Sequence, residues 1–112
     1  MGKGDYLGEF EQLVLLALVR LGKEGYGMTV RRELEATSGR SVSIGSVYST
    51  LDRLETKGYL SSEHGDPEPV RGGRARRTFT VQSEGLVALA RSRELLSKMW
   101  DGVALDSDVG RS

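Results

Sequence analysis

Three glycines divide the first half of this sequence into short segments, and that division constrains the fold more than any other feature. Gly22, Gly39 and Gly58 each follow a stretch in which apolar residues recur at three- and four-residue steps. This spacing places apolar side chains on one face of a helix, and glycine commonly ends a helix. The sequence therefore predicts three amphipathic helices, over residues 8–21, 26–38 and 43–57.

The residues after the third helix predict a hairpin and a fourth helix. Residues 59–64 and 77–81 alternate polar and apolar side chains as short strands do, and the segment between them is rich in glycine and proline, as a hairpin tip is. A last helix is predicted from Ser83 to about Trp100. This order predicts a mainly α fold with a small β-hairpin, a winged helix-turn-helix with an additional C-terminal dimerisation helix. Its predicted parts are a DNA-binding domain over 1–82, the dimerisation helix over 83–100 and a flexible, frayed tail over 101–112.

The distribution of charge is the first indication of a nucleic-acid partner. The formal net charge is zero, whereas DNA binding is driven mainly by cations that meet phosphates. Residues 71–77, however, contain no acidic residue and a local excess of positive charge at the predicted hairpin. The arginines of this segment are Arg71, Arg74, Arg76 and Arg77.

Composition gives little support to several other function classes. The chain has no cysteine and one histidine, His64, so we expect no metal and no cofactor. No apolar run approaches the roughly 18 residues of a membrane span, and the N-terminus lacks the apolar segment of a secretory signal, so we expect a cytoplasmic protein without a membrane partner. Because only His64 could serve as a histidine base and no acidic pair suits acid–base catalysis, we expect no enzyme.

The third helix carries small side chains where a solvated helix face commonly carries Glu and Lys. Its outward positions are predicted to be Ser46, Ser49, Thr50 and Arg53, and Ser43 is a predicted N-cap. A helix with a slim leading turn can enter the major groove of DNA, where base edges are distinguishable. The pattern alone leaves open a core helix with a polar outer face.

The candidate DNA-binding residues divide into two groups by chemistry. Small residues on the third helix suit close approach to base edges, whereas a tyrosine hydroxyl and arginine guanidinium groups suit phosphates or a narrow minor groove. The candidates are Ser43, Gly45, Ser46, Tyr48, Ser49, Arg53, Arg74, Arg76 and Arg77. The arginine run is alternatively a solvated loop.

The last predicted helix carries a weak signal for packing against a partner helix. Leu89, Leu96 and Val103 are seven residues apart, with Ser92 and Met99 at the intervening positions. The predicted dimerisation residues are Leu89, Leu96 and Met99. Trp100 is either a packing residue at the helix end or a platform for a ligand.

Two segments resemble the phenolic acid decarboxylase regulator (PadR) family. Gly25-Tyr26-Gly27-Met28 resembles one family segment, and the third helix resembles another through Gly45, Tyr48, Leu51, Arg53, Leu54, Glu55 and Gly58. The segment Gly72-Gly73-Arg74-Ala75-Arg76-Arg77, followed by Phe79 and Glu84-Gly85, is similar to the arginine-rich hairpin of the family. Two residues depart from its pattern: Thr78 stands where an aromatic is usual, and Gln82 where a threonine cap is usual, so we expect the cap at Ser83.

The resemblance implies a function that the residue pattern alone does not. It implies a sequence-specific DNA-binding repressor, a homodimer built through its N- and C-terminal helices on a near-palindromic operator, and in many members release by a small effector. The single C-terminal helix resembles the smaller branch of the family, whose dimer interface can hold flat aromatic ligands, here at Leu96 and Trp100. The zero net charge keeps open the alternative of a winged-helix module for protein contacts without DNA binding.

Overall fold

The computed structural model describes residues 6–67 and 75–105, which form a body of helices with a two-stranded hairpin. This architecture confirms the predicted mainly α, winged-helix fold. In chain order its elements are α1 (Glu9–Leu21), a 3-10 turn (Gly22–Glu24), α2 (Gly27–Ser38), α3 (Ile44–Thr56), β1 (Leu60–Pro67), β2 (Ala75–Val81) and α4 (Ser83–Trp100). None of the helices within the described residues is long and apolar enough to span a bilayer.

The core lies where α1, α2 and α3 pack on one another and on the hairpin. Its buried apolar side chains come from every helix and both strands, and burying each one stabilises the fold by about 1.5–3 kcal/mol. Phe79 of β2 is the largest fully buried side chain, so the hairpin is anchored in the same core as the helices. The main core residues are Val14, Leu15, Leu18, Val30, Leu34, Val47, Leu51, Leu54, Leu60, Phe79 and Ala88.

The ends of the helices follow the glycines closely. Gly22, Gly39 and Gly58 have φ angles of 59°, 72° and 83°, a region that side chains with a β-carbon rarely adopt. Ser43 caps α3 as predicted, because its hydroxyl accepts a hydrogen bond from the Ser46 N–H at 3.1 Å. The predicted helix ends at Gly22 and Gly39 are thereby confirmed. The third helix ends at Thr56, one residue earlier than predicted, with Lys57 as its cap and Gly58 directly after it.

The starts of α1 and α2 lie one residue later than predicted. Gly8 and Tyr26 have extended backbone and are N-caps rather than helical residues. The Gly8 N–H donates to Glu11 Oε1 at 2.9 Å, and the Tyr26 N–H donates to Thr29 Oγ1 at 3.0 Å. In both cases a side chain three residues into the helix satisfies the backbone amide of the capping residue.

The antiparallel hairpin is longer than the sequence predicted. Strand pairing runs from Leu60 opposite Val81 to Pro67 opposite Ala75, with an irregularity after His64. The predicted strands, 59–64 and 77–81, are too short, because Gly65 and Pro67 are typical of a hairpin tip but here continue β1. The rest of the predicted tip, with Arg71 and Arg74, lies outside the described residues.

The junction between the hairpin and α4 corrects the predicted cap. Gln82, not Ser83, is the N-cap residue, and it makes no side-chain capping bond. Its Nε2 instead donates to Ser61 Oγ at 2.8 Å, and its backbone N–H donates to the Tyr59 carbonyl at 2.9 Å. Gly85 lies against the same carbonyl so closely that a methyl group there would overlap it. The first turn of α4 is thus fixed to the end of α3 and the start of β1.

The fourth helix ends at Trp100, as predicted, so Val103 lies beyond it and does not extend the predicted heptad pattern. Gly85, Ala88 and Ser92 on its first half are buried against the rest of the chain. Ser92 was expected at a seam with a partner helix. That expectation was wrong, because Ser92 is only 5% exposed within a single chain. Residues 106–112 of the predicted tail lie outside the described residues.

Candidate nucleic-acid interface

The first turns of α3 present small side chains to the surface. Ser43, Gly45, Ser46 and Ser49 are all exposed. Ser43 Oγ also donates to Ser46 Oγ at 2.9 Å, so these two hydroxyls form one polar patch at the start of the helix. The structure therefore brings the predicted groove-reading residues together on one exposed face.

Thr50 does not belong to this face, and its predicted outward position was wrong. Thr50 is only 3% exposed. It follows the buried Val47 by three residues and precedes the buried Leu54 by four, which places all three on the core side of the helix. The Thr50 hydroxyl lies within 3.4 Å of Arg53 Nη2, which donates to it.

Tyr48 packs across the start of α2. Its side chain is 37% exposed, and its ring and hydroxyl lie directly over Gly27. A methyl group at Gly27 would overlap the ring, so the absence of a side chain there lets the two helices approach. Tyr48 lies 21 positions from Gly27 in the printed sequence, so no local pattern indicated this contact.

Arg53 is tied to α1 through a buried glutamate that the sequence analysis missed. Glu11 Oε2 accepts hydrogen bonds from Arg53 Nε at 3.1 Å and from Lys57 Nζ at 2.9 Å. Burial alone would raise the pKa of Glu11, but the hydrogen bonds from Gly8, Lys57 and Arg53 outweigh it and lower the pKa from its ordinary value. Arg53 keeps 51% of its side chain exposed and still faces solvent beside this ion pair.

Arg77 lies at the base of the hairpin, held against α3. Its Nη2 donates to Glu55 Oε1 at 2.7 Å, its Nη1 lies 3.2 Å from Asp52 Oδ1, and its guanidinium lies over the Phe79 ring, 4.7 Å from the centroid. Ser62 Oγ donates to the second oxygen of Glu55 at 2.8 Å. The hydrogen bond from Ser62 and then the Arg77 guanidinium lower the pKa of Glu55 from its ordinary value.

Arg76 points to the other side of β2. Its guanidinium lies 4.3 Å from the centre of the Tyr26 ring, at the start of α2. A backbone hydrogen bond also joins β2 to the residues before α2, because the Phe79 N–H donates to the Gly25 carbonyl at 2.8 Å. The hairpin therefore contacts both α2 and α3, and the third predicted wing residue, Arg74, lies outside the described residues.

The second half of α4 carries an exposed apolar surface. Leu96, Met99 and Trp100 are 53%, 70% and 52% exposed, whereas Leu89 is partly buried against the core. Between α1 and α4 runs an open groove of about 590 Å³. Its lining includes Gln12, Leu16, Leu89, Arg93, Leu96 and Trp100. The structure thus brings Leu96 and Trp100 together and sets Leu89 deeper than Met99.

Comparison with known proteins identifies the family. Residues 15–91 match the model of the transcriptional regulator PadR-like family. The transcriptional regulator Rv3488 of Mycobacterium tuberculosis is 38% identical over 76 residues, which span 68% of this chain and 66%, just under two thirds, of that relative.

Solved structures show the same fold. A PadR family transcription regulator from Clostridium difficile superposes with a TM-score of 0.64 at 22% identity, covering 84% of this chain and 96% of that chain. A PadR family transcriptional regulator from Eggerthella lenta gives a TM-score of 0.63 at 30% identity, covering 85% and 82%. The matched proteins are transcriptional regulators rather than enzymes. Because the family model spans more than half of the chain, this protein belongs to the PadR-like family of transcriptional regulators.

Proposed function

We propose that this protein is a sequence-specific DNA-binding regulator that inserts α3 into the major groove of a near-palindromic operator. The observation that carries this proposal is the exposed face of Ser43, Gly45, Ser46 and Ser49 at the start of α3. Their small volume lets the helix approach base edges, and each serine hydroxyl can donate or accept a hydrogen bond there. We therefore propose these residues as the base-reading group.

Phosphate contacts are proposed for residues that flank this face. Tyr48 and Arg53 are partly exposed on α3, and each is already oriented by an intramolecular contact, with Gly27 and Glu11 respectively. Arg76 is exposed on β2, and Arg74 belongs to the wing by sequence. The arginine guanidinium groups can bind phosphate oxygens in a bidentate manner, and the Tyr48 hydroxyl can donate one hydrogen bond to a phosphate. We therefore propose that these residues supply affinity and position rather than sequence preference.

A homodimer through α4 is proposed from the burial pattern along one helix face. Gly85, Ala88 and Ser92 occupy this face on the first half of α4 and are covered by the chain itself. Leu96 and Met99 continue the face and are left exposed. A second copy that covers Leu89, Leu96 and Met99 would complete the burial. Two α3 helices on a dyad would then meet half-sites about 34 Å apart.

A small aromatic effector and a repressor role are proposed from the groove between α1 and α4. The groove between α1 and α4 is lined by Leu96 and Trp100, and an exposed indole is a surface on which a flat ligand can stack. Release from DNA would follow if such a ligand favoured a different α4 arrangement. The proposed parts of the chain remain the DNA-binding domain over 1–82, the dimerisation helix over 83–100 and the tail over 101–112, in a cytoplasmic protein.

The test is selection of bound duplexes from a random DNA pool, followed by fluorescence anisotropy of the selected sequence at several salt concentrations. We expect a near-palindromic consensus and an affinity that falls steeply as salt rises. Ser46→Ala should change the preferred base at one position per half-site, whereas Arg74→Ala should weaken all sequences alike. Failure to select any sequence, with no binding even at low salt, would refute the proposal.

A further inference from the structure

Four polar side chains join the base of the hairpin to α3, and we call this cluster the wing latch. It consists of Arg77 on β2, Ser62 on β1, and Asp52 and Glu55 on α3. Arg77 contacts both carboxylates, at 2.7 Å to Glu55 and 3.2 Å to Asp52, and Ser62 donates to Glu55 at 2.8 Å. Every contact of the latch therefore connects the hairpin to the helix that carries the proposed base-reading group.

Arg77 has little freedom to leave this cluster. Its side chain is 29% exposed, and one face of the guanidinium is covered by the ring of Phe79, which is itself buried in the core. Both terminal nitrogens already contact carboxylates, and its Nε is buried without a hydrogen-bond partner among the described residues. Turning Arg77 towards a phosphate would break two ion pairs and the contact with the ring.

The hairpin is also held from its opposite side. Arg76 lies over the ring of Tyr26, and the Phe79 N–H donates to the Gly25 carbonyl. These contacts tie β2 to the start of α2, while the latch ties it to α3. Without the latch the hairpin would keep its attachment to the start of α2 and its apolar packing in the core, but it would lose its charged contacts with α3.

We propose that Arg77 is a positioning residue that sets the angle between the wing and α3 through Glu55 and Asp52, rather than a phosphate contact. This proposal rests on the proposed function, because the angle matters only if both elements meet DNA. It removes Arg77 from the phosphate-binding group and adds two acidic residues of α3 to the residues on which DNA binding depends.

The two roles of Arg77 predict opposite effects of one substitution. If Arg77 bound phosphate, Glu55→Gln would release it and remove a negative charge near the DNA, so binding would become tighter. If Arg77 positions the wing, the same substitution loosens the hairpin and binding becomes about tenfold weaker, although a negative charge has been lost. Ser62→Ala, which removes only one hydrogen bond from Glu55, should act in the same direction with a smaller loss.

The experiment compares Glu55→Gln, Arg77→Gln and the double variant by anisotropy over a range of salt. We expect the double variant to bind DNA about as tightly as whichever single variant binds less tightly. Either substitution alone already breaks the latch, so the second one removes no further interaction. The slope of log K against log salt is negative, and it should be unchanged in Arg77→Gln. Loss of a phosphate contact would instead make the slope shallower, by about 0.9. Glu63→Gln, an exposed carboxylate on β1 outside the latch, is the matched control for charge alone and should bind at least as tightly as wild type.

A second measurement tests the latch without DNA. Hydrogen exchange of the free protein should be faster in β1 and β2 of Glu55→Gln and Ser62→Ala, with α1 and α2 unchanged. Three results would each overturn the proposal: tighter DNA binding by Glu55→Gln, a shallower salt dependence of binding by Arg77→Gln, or hairpin hydrogen exchange in Glu55→Gln and Ser62→Ala that is as slow as in wild type. Failure of wild type to bind any duplex would refute the proposed function alone, since the exchange data would still test whether the latch holds the hairpin.

Discussion

Replacing Glu11 by glutamine removes the buried charge that joins α1 to α3 while keeping the shape of the side chain. The Glu11 side chain is 9% exposed, and its carboxylate accepts three hydrogen bonds, from the Gly8 N–H, Arg53 Nε and Lys57 Nζ. Glutamine can still accept the bond from Gly8 through its carbonyl oxygen. Its amide group, however, would present donors to two cations, so both charged hydrogen bonds would be lost.

The size of the loss follows from the exposure of the partners. A hydrogen bond to a charged group contributes about 1.5–3 kcal/mol, which would give a large loss if both cations were buried. Arg53 and Lys57 are 51% and 30% exposed, so water solvates them once the carboxylate is gone. We expect the free energy of unfolding of Glu11→Gln to fall by about 1–2 kcal/mol at neutral pH.

The stability difference between wild type and Glu11→Gln should depend on pH in one direction. The pKa of Glu11 is lowered by folding, so the unfolded chain binds the proton more readily than the native chain. The stabilisation is therefore complete above the ordinary glutamate value of about 4.3 and is lost as the pH falls through the folded value. The difference between wild type and Glu11→Gln should close in acid.

The assay is urea unfolding followed by circular dichroism at pH 7 and at a series of acidic pH values. Glu9→Gln is the matched control, because Glu9 lies on the same helix but is 74% exposed in its pair with Arg40, and it should cost less than about 0.5 kcal/mol. Equal stabilities of wild type and Glu11→Gln at pH 7, or a difference that persists unchanged in acid, would refute the reasoning.

Three further substitutions separate stability from function. Gly85→Ala places a methyl group against the Tyr59 carbonyl, which is backbone and cannot turn aside, so urea unfolding should show a loss of about 1–3 kcal/mol; an unchanged midpoint would contradict this. The methyl group of Gly27→Ala meets the ring and hydroxyl of Tyr48 most closely, and this partly exposed side chain can rotate into solvent. We therefore expect a smaller stability loss but weaker DNA binding by anisotropy, and wild-type affinity would be evidence against this role of Tyr48. Leu96→Asp alters an exposed side chain, so light scattering should report a monomer with retained helical signal; a persistent dimer would place the interface elsewhere.

The helix boundaries could be predicted because they depend on local properties. Gly39 ends α2 in a left-handed conformation that glycine adopts without strain, and Ser43 caps α3 from within its own first turn. Thr50 was misplaced because one residue is only 100° of helix rotation, and a threonine is compatible with either side. Elements with a strong local signal were therefore correct, and the facing of a neutral residue was not.

The charged contacts of the site could not be predicted, because they join residues distant in the sequence. Arg53 and its partner Glu11 are 42 positions apart, and Arg77 and Glu55 are 22 apart. One signal was nevertheless present in the sequence. Glu11 precedes Val14, Leu15 and Leu18 at the three- and four-residue steps of the apolar face, so a carboxylate at that position indicated a buried ion pair. No comparable pattern marks Glu55, whose partner comes from a strand.

The contact between Gly85 and the Tyr59 carbonyl has a geometric consequence for the proposed dimer. The 18 residues of α4 extend for about 27 Å, anchored at the first turn and exposed at the last. A tilt of about 10° at the anchored end would shift the far end by about 5 Å, since a helix of this length behaves as a rigid rod. That displacement exceeds the rise of about 3.4 Å per base pair, so a small rotation at one glycine would change which operator spacing the two α3 helices can span.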